Sequence, residues 1–453
     1  MSDHLAEVPR LGTQERELLL LCARTTFSDP EAYRVDELLG QQLEWDALVW
    51  HARLHSVAPL LHNHLRGRRA YGDLPRGARR QLLALYHRTA YQNDRFAREG
   101  RVLIETFRAA GIEVIVAKGI ALLELAYGHF ALRPLIDLDF LIPSGKVQQS
   151  TSQLRELGYV REPMALVEGV YRWTCPQWVF TASRDIAVSV LVRCDLINWP
   201  RAHRFSPAGL WARAEPARVC GAEAMALSPV DLVLYLCAQA DNQGYFNRVG
   251  LDHMRAADLL FAPWTNNRLI RFTDISEVIR QYAERIDWSL LVERARESEL
   301  QEAVYVSLSL ANSLLGPAAP PDVLEQLRSR PRHRLRGWIF DGVAHQAQHQ
   351  GSASIGKRLA GSIWIRGSEA RLMWLARLLA FVELTFPDRR TLSILRGSRC
   401  QAGLLPAYSR HVASAVGRAV AGYLARCAER ALHPLARLAA RPRMASGKRA
   451  ASS

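Results

Sequence analysis

Two aspartates separated by one residue stand inside an apolar run, Ile136-Asp-Leu-Asp-Phe-Leu-Ile142. Side chains alternate between the faces of an extended strand, so Asp137 and Asp139 should project together while Leu138 and Phe140 pack the other way. Two carboxylates a few ångströms apart repel each other, and the usual remedies are a shared proton, an arginine or a divalent cation. The same spacing also suits a strand whose solvent face is simply acidic. Upstream, Val114-Ile-Val-Ala-Lys118-Gly119 ends a β-branched stretch and opens a helix-like segment at a glycine. Backbone N–H groups and the helix dipole favour phosphate at such a point. Lys118 adds a positive charge there, or is a solvated turn lysine. A phosphate cradle facing paired carboxylates is what phosphoryl or nucleotidyl transfer requires.

Other chemistry-bearing patterns are thinner. His51 and His55, and His345 and His349, have the i, i+4 spacing of two zinc ligands on one helical turn, but no third ligand follows and no H-E-x-x-H is present. Half-buried or surface histidines account for them. Seven cysteines, Cys22, Cys175, Cys194, Cys220, Cys237, Cys400 and Cys427, lie far apart without a C-x-x-C pair, which fits reduced, mostly buried thiols.

The elements that must position the aspartates follow from periodicity. Residues 14–107 read as helices over 15–23, 45–65 and 79–107. Residues 112–117 and 136–142 read as strands with helix-like segments after each, and 178–181 and 186–192 as further strands. A small α/β unit of about a hundred residues thus sits between helical flanks. Helical periodicity returns over 229–240, 275–283 and 289–315, with a polar loop or insertion at 242–267 and a connector at 317–331. Residues 364–386 and 411–438 read as helices, and the last stretch, RPRMASGKRAASS, as disordered. The organisation expected is an N-terminal helical region (1–107), an α/β core (108–200), a helical region that would hold a substrate or base (201–330) and a basic C-terminal helical region (331–453).

The chain of 453 residues is 49% hydrophobic and 23% charged, a globular composition. No signal peptide and no run of about eighteen apolar residues is visible, so a cytoplasmic protein without a transmembrane segment is expected. From Arg389 onward thirteen basic residues face one acid, Glu429, so this stretch holds twelve of the fifteen net positive charges. Arg410, Arg418, Arg426, Arg430 and Arg437 would spread over half of a helix there. That face could contact RNA or an anionic membrane, or be a solvated face enriched by the chain's preference for arginine over lysine.

The string AKGIALLELAYGHFALRPLIDLDFLIPSGKVQQSTSQLRELGY resembles the core of the uncharacterised bacterial nucleotidyltransferases, whose pattern runs L-K-G-x-A-L, Y, L-R-P-x-x-D-x-D-x-L-V and L-x-x-x-G-Y. The likeness extends through HSVAPLLHNHL and AAGIEVIVAKG upstream and LSPVDLVLYLCAQA and IDWSLLVERA downstream, over most of residues 15–315. It implies the polymerase-β-like superfamily: an α+β fold with a small mixed sheet in helical flanks, Asp137 and Asp139 as ligands of Mg²⁺ or Mn²⁺, and Lys118-Gly119 at the nucleotide-binding turn. Arg133 matches the arginine before the acidic pair, where it could hold a triphosphate oxygen or lower the carboxylate pKa values by its charge. The implied reaction moves an NMP from an NTP to an acceptor (small molecule, peptide or protein) and releases pyrophosphate.

Three departures from the resemblance stand out. The superfamily places a third carboxylate on a neighbouring strand, where this chain has Ser189, and Leu191 stands where relatives often have histidine. Asp185 and Asp195 share the strand parity of Ser189 and could complete the metal site. Ile120 replaces a hydroxyl residue common in the wider superfamily, and Gln239 and Asn242 stand near expected histidines. These departures keep two alternatives open: an RNA-directed (tRNA) transferase of the toxin type, and a catalytically decayed nucleotide-binding or scaffold protein of a biosynthetic cluster.

Overall fold

The computed structural model describes residues 9–162, 177–184, 186–197, 205–244, 256–261 and 268–328, with the side chains of 241–244, 258 and 259 left out. All fall within Met1–His345, one of the two compact units into which the chain divides. Asp185, the His345/His349 pair and the helices expected at 364–386 and 411–438 lie outside the described residues.

The N-terminal helices are α1 (Thr13–Leu21), α2 (Asp29–Leu39), α3 (Trp45–Leu54), α4 (Ala58–Leu65) and α5 (Arg76–Ala109). Apolar spacing did not announce α2, but its start is written in a capping box in which the Ser28 N–H and hydroxyl both donate to Glu31 at 2.8 Å. The single helix expected over 45–65 breaks in two at Ser56, which has φ +61°. Helix α5, about 50 Å long at 1.5 Å per residue, buries Leu82, Tyr86, Asn93, Phe96, Leu103 and Phe107 along one stripe.

The sheet has seven strands in the order β3-β4-β5-β2-β1-β7-β6. They are β1 (Ile115–Val116), β2 (Leu138–Leu141), β3 (Val160–Arg161), β4 (Gln177–Ser183), β5 (Ala187–Arg193), β6 (Glu215–Val219) and β7 (Ala222–Ala226). Between β1 and β2, α6 (Ile120–Leu122) runs into a π-helical turn, Leu123–Tyr127; α7 (Val147–Glu156) precedes β3. β2 runs antiparallel to β1 and parallel to β5, and β1 runs parallel to β7, so the sheet is mixed. The fold is α+β, as the resemblance implied.

β6 and β7 lie beyond residue 200 in a stretch expected to be helical, and they complete one flank of the sheet. Their connection places Cys220 at φ +56° and Gly221 at φ +76°, the left-handed pair that suits a two-residue hairpin.

Helices then follow: α8 (Pro207–Arg213) before β6, and after β7 α9 (Pro229–Gly244), α10 (Ala256–Phe261), α11 (Leu269–Gln281), α12 (Trp288–Glu297), α13 (Gln301–Leu315) and α14 (Pro321–Leu327). Helix α10 lies inside the stretch read as a loop, and α14 inside the expected connector. One face of the sheet, with Leu138, Phe140, Val190 and Val192, packs against Phe96, Leu103 and Phe107 of α5. Ile115, Ala117 and Leu141 join a second core with Tyr235 of α9 and Phe272 of α11. The sheet therefore lies between α5 and the C-terminal helices.

His51 on α3 and His55 at its C-terminal cap are buried, their rings 5.9 Å apart and both edged by Phe261. His51 Nε2 meets the Pro9 carbonyl at 2.8 Å, and the Leu269 N–H donates to His55 Nδ1 at 3.3 Å. Packing thus explains this pair. Cys22, Cys194, Cys220 and Cys237 form no disulfide, and no helix among the described residues is long and apolar enough to cross a membrane.

Candidate active site

The turn at Lys118-Gly119 and the strand entry at Asp137 are built against each other. Gly119 adopts φ +65°, ψ −106°, a left-handed conformation that a side chain disfavours. A Cβ there would also sit 3.7 Å from the Asp137 carbonyl oxygen. The Ala121 and Leu122 N–H groups turn back to the Lys118 and Gly119 carbonyls at 3.4 and 3.1 Å. The N–H groups of Gly119 and Ile120 keep no acceptor among the described residues.

The loop before Asp137 is held by one buried amide. Asn93 of α5 donates to the carbonyls of Phe130 and Arg133 and accepts the Leu135 N–H at 3.3 Å. A buried asparagine is stable only when its amide is satisfied, and here that requirement fixes the loop.

The register of β2 and β5 places Asp139 beside Leu191. Alternation puts Ser189, Leu191 and Arg193 on the same face as the acidic pair, and Ser189 and Leu191 are half-buried. Asp137 is half-buried just ahead of β2, and its carboxylate has no side-chain hydrogen bond among the described residues. The Asp139 side chain has no exposed surface. Arg193 Nε donates to its Oδ1 at 2.6 Å. Its Oδ2 has looser neighbours, Lys118 Nζ at 3.5 Å and the Tyr235 hydroxyl, which donates at 3.4 Å. Arg193 is tied down by a second bond, from Nη1 to the Leu196 carbonyl at 2.9 Å, and Gln239 Nε2 donates to that same carbonyl at 3.1 Å. Burial and the field of the two aspartates push the Tyr235 phenol well above its usual range against the pull of Arg193, so it remains a donor.

The structure brings Lys118 and Gly119 together with Asp137 and Asp139, as the sequence suggested. Arg133 sits differently. Its Nε and Nη2 form a two-pronged ion pair with Asp274 of α11, both at 2.7 Å, and the Tyr127 hydroxyl donates to the same carboxylate at 2.7 Å. Burial opposes the Arg133 charge, but Asp274 outweighs it and holds the guanidinium protonated, with Tyr127 and Asp137 adding less. Asp195 is buried beyond β5, where its Oδ1 accepts the Ile197 N–H at 3.4 Å. Among the described residues no group of three His, Cys, Asp or Glu side chains is arranged to hold a metal ion.

Sequence reasoning missed Arg193, Tyr235 and Asp274. Parity could have found Arg193, four residues after Ser189 on one strand face. Asp274 lies between Phe272 and Ile275 on a helix that also buries Thr273 and Glu277, so an acid among apolar residues was only a weak signal for it.

A mixed sheet thus carries paired carboxylates beside a glycine turn and a lysine. The family model described as "Uncharacterised nucleotidyltransferase" matches residues 41–316, more than half of the chain, and the chain belongs to that family. No curated protein and no solved structure matches it.

Proposed function

We propose that the protein moves a nucleoside monophosphate from an NTP to an acceptor, with release of pyrophosphate, at a divalent cation held by Asp137 and Asp139. The observation that carries this reading is the approach of Lys118 Nζ to within 3.5 Å of Asp139 Oδ2 across the Gly119 turn. It sets a phosphate-binding cation and a metal-binding oxygen side by side. Mg²⁺ in such sites takes one or two carboxylates and fills its remaining positions with water and phosphate oxygens. The Asp137 carboxylate and Asp139 Oδ2 suit that donor set. When bound, the cation (Mg²⁺ or Mn²⁺) would offset the charge that builds on the phosphate oxygens.

The chain's own groups supply positioning. Lys118 and the open N–H groups of Gly119 and Ile120 orient the phosphates. Arg193 and Tyr235 fix the Asp139 carboxylate, and the buried walls around it exclude water. Ser189 offers an acceptor a hydrogen bond but no charge.

A second reading, nucleotide binding without turnover, is favoured by the 2.6 Å bond that Arg193 makes to Asp139 where a third acid would be expected. One experiment separates the two. The protein, Asp137→Ala and Asp139→Ala are each incubated with Mg²⁺ and every α-labelled NTP, alone, with total RNA and with protein-containing cell extract. Label transfer lost in both variants supports the enzyme and reveals the class of acceptor, RNA included. Nucleotide binding with no transfer in any arm leaves the binding protein.

A further inference from the structure

Asp139 Oδ1 and Oδ2 are treated unequally. Arg193 meets Oδ1 at 2.6 Å, is buried itself and is anchored to the Leu196 carbonyl. Lys118 stands 3.5 Å from Oδ2, and its side chain is 20% exposed. An ammonium on a flexible stem with a path to solvent can leave, whereas a guanidinium fixed at two points cannot. We infer that Lys118 is a displaceable counter-ion: it occupies the metal-facing oxygen of Asp139 in the empty site and passes to the nucleotide's phosphates as the divalent cation takes its place. This inference rests on the proposed nucleotidyl-transfer site.

The charge balance gives the inference its consequence. Asp137 and Asp139 carry two negative charges, and Lys118 and Arg193 carry two positive ones. Arg133 is balanced separately by Asp274. Among these four groups the charges cancel, so a dication entering alone finds the pair already compensated and must expel an ammonium from a buried carboxylate. A triphosphate that arrives with the dication supplies the new partner for Lys118. Cation and triphosphate should enter together, so the affinity for either depends on the other.

The test measures Mn²⁺ binding to the full chain by electron paramagnetic resonance and by calorimetry, with and without inorganic tripolyphosphate, a probe that needs no knowledge of the base. For the parent protein, tripolyphosphate should raise Mn²⁺ affinity at least tenfold beyond what the polyphosphate binds in solution. Lys118→Met removes the charge at similar length. It should bind Mn²⁺ alone at least several-fold more tightly than the parent and show little further gain from tripolyphosphate. Lys118→Gln should behave like it, which guards against a packing effect of the thioether.

Mn²⁺ binding that is lost in Asp137→Ala but is equally tight with and without tripolyphosphate would leave the metal site standing and overturn the exchange. Weaker binding of Mn²⁺ alone by both Lys118 variants would overturn it as well. No Mn²⁺ binding under any condition would overturn the metal reading together with the exchange.

Discussion

Replacing Arg193 with methionine keeps most of the side-chain volume but leaves Asp139 with a single cation 3.5 Å away. Breaking a buried ion pair from one side costs about 3–5 kcal/mol, so Arg193→Met should lower unfolding free energy by that amount in urea titrations. Tyr235→Phe removes one long hydrogen bond, worth about 1 kcal/mol. A midpoint for Arg193→Met close to that of Tyr235→Phe would contradict the anchoring role of the arginine. At Ser189, half-buried on the same sheet face as the acidic pair, an aspartate would add a third carboxylate beside Asp137 and Asp139. Ser189→Asp should bind Mn²⁺ several-fold more tightly than the parent in calorimetry; unchanged affinity would place residue 189 outside the reach of the cation. The acidic pair, Lys118 and Gly119 were legible because short segments carry their chemistry. Arg193, Tyr235 and Asp274 were not, because their roles arise from contacts over 54, 96 and 141 residues of chain.

At the scale of elements, the helix pattern was legible where apolar spacing ran unbroken and failed where the backbone turned locally. Ser56 splits one expected helix through a single left-handed residue, a feature that periodicity does not register. The hairpin of β6 and β7 escaped for another reason: β6 alternates in burial but is built of Glu215, Pro216, Ala217 and Arg218 before Val219, and β7 buries only its two ends, so neither shows the β-branched, apolar alternation of a strand. The helical layer also carries a pH response. Burial first, with neighbouring cations adding to it, lowers His55 to about 3 and His62 to about 4. In the unfolded chain both take protons near pH 6.5. Between these limits the unfolded state binds more protons than the folded one, so stability is present above about pH 6.5 and falls as pH drops. The slope is on the order of 1 kcal/mol per pH unit for each histidine. Urea midpoints should fall from pH 7.5 to pH 5, and less steeply in His55→Gln; parallel curves for the two proteins would rule out His55 as a source.

For the whole molecule, the family match, residues 41–316, lies wholly inside the compact unit Met1–His345. The match ends at residue 316 and the unit at His345, while most of the net charge lies after Arg389. A chain ending at His345 should therefore retain nucleotide and Mn²⁺ binding within about twofold of the full protein. If the acceptor is RNA, only the full chain should hold it, with affinity that drops steeply as salt rises. Equal RNA binding by the two forms would remove the basic segment from consideration.

The ion pair between Arg133 and Asp274 joins points 141 residues apart, and this sets a timetable for synthesis. When a ribosome has released Asp137 and Asp139, neither β7 nor α11 yet exists. At roughly 5–20 residues per second, the loop before the acidic pair waits on the order of ten seconds for the helix that clamps it. Until β7 emerges, earlier in that interval, β1 presents a bare parallel edge, open to the wrong strand. Slow codons between β2 and β7 would lengthen that exposure, and a recombinant fragment cut near residue 200 would make it permanent.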